Sequence, residues 1–180
     1  MRTILLTLLL ALTIAAAHAG PKMLFKAQLD GFNAGGAPIP TNATGSARVE
    51  VIDEGTALQF SLNVAGIDNL LMAHIHVAPE PVEVSDPAGP VAYWFVGGPP
   101  PNQTVTERVN GVLSQGYIIT DGDVEVWDAT DPAAGTVQGL IEAIAEGRAS
   151  VVVHTDDLNP DTPTGVAGDS RAGELRGTLR

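Results

Sequence analysis

Apolar residues in this chain recur at every second position, and glycine or proline interrupts run after run of them. Leu58, Phe60, Leu62 and Val64 alternate with Gln59, Ser61 and Asn63, while Ala47, Val49 and Val51 alternate with Arg48 and Glu50. A period of two sends successive side chains to opposite faces of a strand, so each run reads as a half-buried β-strand. The same reading predicts strands at Met23 to Leu29, Leu70 to Val77, Val91 to Val96, Val112 to Ile119, Ala149 to Thr155 and Glu174 to Leu179. Short strands between frequent turns make an antiparallel sandwich or barrel. One stretch departs from this pattern. Val137, Leu140, Ile141, Ile144 and Ala145 recur at helical spacing, and Gly147 follows where a C-terminal glycine belongs, which predicts a single short helix. Gly35 to Thr44, Gly97 to Asn102 and Asp156 to Ala172 read as long loops, the segments that carry binding sites in compact β domains.

The N-terminus reads as an export signal. Arg2 precedes an apolar run from Ile4 to Ala17, and Ala17-His18-Ala19 has the small-x-small form of a cleavage site. Residues 1–19 are therefore assigned to the leader and 20–180 to one domain, exported to a periplasm or the extracellular medium. No later segment approaches the ~20 apolar residues of a membrane-spanning helix. The chain has no cysteine, which excludes thiolate chemistry, disulfides and cysteine metal ligands. Its net charge of −12 argues against nucleic acid and anionic membrane surfaces, which call for basic patches. Asp156, Asp157, Asp161 and Asp169 lack the fixed spacing of a calcium loop.

With His18 in the leader, three histidines remain, and all lie in predicted strands. His74 and His76 are two residues apart, hence on one face of a strand, and Val151-Val152-Val153-His154 supplies the third. Neutral imidazole is a common ligand for copper and zinc, and three converging rings make a site for one ion. The alternative is a hydrogen-bonded cluster that knits strands together. The spacing does not decide between them.

Taken together, Ala73-His74-Ile75-His76, Ser114-Gln115-Gly116-Tyr117, Val153-His154-Thr155 and Gly173-Glu174-Leu175-Arg176-Gly177 resemble the chordin-type (CHRD) domain family, whose members occur in secreted and surface proteins. A more distant likeness is to copper/zinc superoxide dismutase, a Greek-key β-sandwich. That likeness implies His74, His76 and His154 as copper ligands, with zinc as the other candidate ion. Between His76 and His154, however, there is no histidine to bridge to a second metal, so a bimetallic site is excluded. The resulting expectation is an all-β, antiparallel Greek-key sandwich, immunoglobulin-like or superoxide-dismutase-like, with one short helix.

Around the histidines, Glu174 and Arg176 fall on one face of the last strand. They are expected either to pair with each other or to support the ligands, Glu174 by accepting a ring N–H and Arg176 by guiding an anion. Thr155 and Asp156 are further supporting candidates. No catalytic residue is assigned, since the chain has no nucleophile elbow and no phosphate-binding loop. In Tyr93-Trp94-Phe95 alternation sends Trp94 away from its neighbours, and the cluster reads as core packing. Asn42 and Asn102 stand in glycosylation patterns. Two functions fit: a protein that holds one metal ion, copper favoured, for metal binding or a redox reaction there, or a metal-free extracellular interaction or matrix module with structural histidines and a protein partner.

Overall fold

The computed structural model describes residues 23–98, 107–159 and 164–180. The leader at residues 1–19 and Asn102 lie outside them, as does part of the proline-rich loop. Eight strands run in the order β1 (Leu24–Leu29), β2 (Thr44–Ile52), β3 (Ala57–Ile67), β4 (Leu70–Val77), β5 (Val91–Val96), β6 (Val109–Ile119), β7 (Ala149–Thr155) and β8 (Leu175–Thr178), with helix α1 (Val137–Ala145) between β6 and β7. The expected all-β sandwich is present: one antiparallel sheet has the order β1-β2-β3-β6 and the other β5-β4-β7-β8. After the excursion through β4 and β5, β6 returns beside β3, and β7 returns beside β4, which is the Greek-key connection.

Alternation decides which residues form the core. Leu58, Phe60, Leu62 and Val64 of β3 meet Ala73, Ile75 and Val77 of β4 and Val151 and Val153 of β7 in one buried cluster. Phe60 and Phe95 stack with ring centroids 3.7 Å apart, and Tyr93 packs edge-on against Phe95 at 5.0 Å. Along one side the sheets are joined by backbone hydrogen bonds between β1 and the last strand: Lys26 with Arg180, and Asp30 with Arg176, exchange N–H and C=O in both directions. The helix buries Val137, Leu140, Ile141 and Ile144. It starts where the Thr136 hydroxyl accepts from the Gly139 N–H and stops at Gly147, whose φ of +74° suits glycine.

The last strand is shorter than expected. Glu174 precedes it, and no ion pair with Arg176 forms: Glu174 accepts from the Thr41 and Thr155 hydroxyls and the Gly168 N–H, whereas Arg176 donates to the Val84 and Asp86 carbonyls and to Ser150 Oγ. Both side chains are buried for these separate reasons. Among the described residues no helix is long and apolar enough to cross a membrane.

Candidate metal centre

β4 lies between β5 and β7, so its outward residues have neighbours on both sides. Ala73, Ile75 and Val77 point inward to the core, which puts Met72, His74 and His76 on the opposite, outer face. In the β4–β7 register His154 pairs with Met72, Val152 with His74 and Ser150 with His76. Directly opposed residues share a face, so His154 comes to the side that His74 and His76 occupy. The ring centroids of His74 lie 4.7 Å from those of His76 and 4.3 Å from those of His154, and His76 and His154 are 6.0 Å apart. One nitrogen from each ring falls within 4.8 Å of the other two.

An outer face normally meets water, but this one is roofed by loops. The segment after β4 is anchored from below by Arg176, which reaches the Val84 and Asp86 carbonyls, and by the Thr178 hydroxyl on the Val82 carbonyl. It is tied laterally by Ala88 N–H on the Ala34 carbonyl, and Ala34 N–H in turn bonds the Ala172 carbonyl. Under this cover none of the three histidines is more than 7 % exposed.

The roof also fixes the protons. His76 Nδ1 lies 2.6 Å from the Gly89 carbonyl oxygen and His154 Nδ1 2.8 Å from that of Arg171. A carbonyl can only accept, so both Nδ1 atoms carry hydrogen and both Nε2 atoms present lone pairs. Without an ion, His74 Nδ1, 2.8 Å from His76 Nε2, donates to that lone pair and leaves its own Nε2 bare, and the three rings share an ion only when this bond gives way. His74 Nε2 and His154 Nε2 are buried and have no hydrogen-bond partner. Burial holds the ring pKa values down, to about 2 for His74 and about 4 for His154, and lowers that of His76 as well. Mutual repulsion adds to the effect at His74, while the carbonyls of Gly89 and Arg171 oppose it at the other two. The three rings are therefore neutral at neutral pH, the form that ligates a metal.

This donor set fits an ion. Buried, unpartnered lone pairs are what a cation satisfies, and backbone carbonyls on the remote ring nitrogens, as at His76 and His154, are the usual means of orienting such ligands. The supporting residues expected from sequence act differently. Glu174 and Thr155 bond each other and the loop before β8, not a ring. Asp156 holds the Arg171 side chain, and so steadies the carbonyl that His154 uses. Arg176 touches no ring, yet its charge contributes to the lowered pKa of His76. The carboxylates of Asp156, Asp157 and Asp169 also cluster, but they accept from the Leu158, Asn159 and Thr164 amides of their own loop.

Three participants were not identified from sequence. Trp94 pairs with His74 across the β4–β5 ladder and sets its ring edge-on at 4.6 Å. Alternation already turned it away from Tyr93 and Phe95, but only the register shows what it turns towards. Gly89 and Arg171 contribute backbone carbonyls, for which a sequence carries no side-chain signal. Asn42 is exposed, as a modification site requires.

The model of one known family, described as the CHRD domain, matches residues 25–162. The match takes in all three histidines and ends before β8, so Glu174 and Arg176 lie beyond it. No curated protein matches the chain.

Proposed function

Because the chain belongs to the CHRD domain family, whose domains occur in secreted proteins, we propose that it is an exported protein holding one metal ion, copper in preference to zinc, on His74, His76 and His154. The observation that carries this reading is the pair of buried, unpartnered Nε2 atoms beside a third ring whose tautomer is set by a carbonyl. Leaving such groups unsatisfied is costly, and an ion removes the cost. When bound, copper supplies a one-electron couple. The protein's own part is to hold the rings neutral, fix their tautomers and exclude water.

A second reading has an observation of its own. Each histidine also makes a hydrogen bond, two of them to loop carbonyls, so the trio ties the roof to the sheet even without an ion. On that reading the protein is a metal-free extracellular interaction module. Equilibrium dialysis against copper and against zinc, followed by elemental analysis, separates the two. The ion site requires close to one equivalent retained by the wild type and loss of it in His76→Ala. Weak uptake that His76→Ala leaves unchanged would favour the interaction module.

A further inference from the structure

A guanidinium is buried on the same face as the histidines. Arg176 pairs with Val152, which pairs in turn with His74, so it stands two strands from His74 on the outer side of the sheet. None of its surface is exposed. Its Nη atoms donate to the Val84 and Asp86 carbonyls and to Ser150 Oγ, and its Nε has no partner. No carboxylate pairs with it among the described residues. The nearby acids form no ion pair with it: Asp86 is exposed, accepts from the Glu83 amide and acts on Arg176 only through its charge, Glu174 serves Thr41, Thr155 and Gly168, and Asp156 serves Arg171. The Arg176 charge nonetheless reaches His76.

Three neutral donors therefore sit beside a fixed positive charge in a region from which water is excluded. Repulsion between that charge and a bound ion scales with the charge of the ion, and burial weakens its screening. A carboxylate ligand would offset the repulsion, but the cluster contains none. Coordination number points the same way. Zinc takes a fourth ligand, commonly water, when the protein gives three, and the roof leaves the rings almost wholly enclosed.

Resting on the metal-site reading above, and extending it, we propose that the buried Arg176 makes the histidine trio selective for a monovalent soft cation, Cu(I), against divalent ions. The test uses Ag(I), a redox-silent probe for Cu(I), and Zn(II), titrated singly and in competition into folded metal-free protein with calorimetric and elemental readout. Two variants change the charge in different ways. Arg176→Met removes it, and Ser150→Asp places a carboxylate beside the guanidinium and opposite His76, keeping Arg176 in place should its removal unfold the protein. The wild type should bind one Ag(I) about a hundredfold more tightly than Zn(II). Either variant should narrow that ratio by about tenfold through tighter Zn(II) binding. Equal wild-type affinities, or variants that alter both ions in the same proportion, overturn the selectivity while leaving a metal site. Absence of binding of both ions to the wild type overturns the site itself and the selectivity with it.

Discussion

At the scale of residues, the three histidines create a pH dependence whose sign follows from their burial. In the unfolded chain each ring takes up a proton near its ordinary pKa of ~6.5, whereas in the folded protein all three resist protonation, His154 down to about 4 and His74 to about 2. Below ~6.5 the unfolded state thus binds more protons, and metal-free stability falls as pH falls, by up to ~1.4 kcal/mol per pH unit for each ring. The loss begins below neutrality and continues to the folded values, while the depressed carboxyls of Asp123, Asp128 and Asp169 act only below their ordinary 3.8. Urea midpoints measured from about pH 7.5 to about pH 4.5 should drop steadily, and His154→Gln should flatten the drop. A midpoint that stays level across that range contradicts neutral buried rings. Trp94 offers a second residue-level readout, because its ring edge lies against His74. Copper loading should quench tryptophan emission in the wild type and much less in Trp94→Phe, where only Trp127 reports. Equal quenching in both would place the ion elsewhere.

At the scale of elements, the site depends on how the loop after β4 returns to the sheet. Gly89 has a φ of +83°, and a side chain there would overlap the Val77 carbonyl oxygen. Its own carbonyl orients His76, and the neighbouring Pro90 carbonyl accepts from the Val77 N–H. Gly89→Ala should therefore destabilise the fold by at least ~1 kcal/mol and weaken copper binding together, as read by thermal unfolding and dialysis. Unchanged metal uptake in that variant would show that the roof does not set the ligand geometry. The strands themselves were legible in the sequence: the bounds of β4, β5, β7 and α1 coincide with the predicted apolar runs, although β7 is buried at every position because loops cover its outer face as well. The site was only partly legible. His-x-His on β4 gives its own shared face, but whether His154 joins that face depends on the register between β4 and β7, a long-range property. The roof was not legible at all, since its bonds run between backbone carbonyls of loops and side chains remote in sequence, and the Glu174 and Arg176 spacing that suggested an ion pair is overridden by those loop contacts.

For the whole molecule, the Greek-key order brings β4 and β7 together although β5, β6 and α1 intervene in sequence, and this pairing assembles the donors. An ion held only by the folded state must stabilise all of it by mass action. Free copper at a hundred times its Kd should add about 2.7 kcal/mol, or roughly 5 to 10 °C in Tm, and His76→Ala should show no such gain. A Tm indifferent to copper would mean that folded and unfolded chains bind it alike. The centre itself is tested most directly by X-ray absorption at the copper edge of protein loaded with one equivalent. The account predicts a first shell of three imidazole nitrogens at ~2.0 Å that loses one in His76→Ala. A shell dominated by carboxylate or water oxygen, indifferent to that substitution, would contradict it.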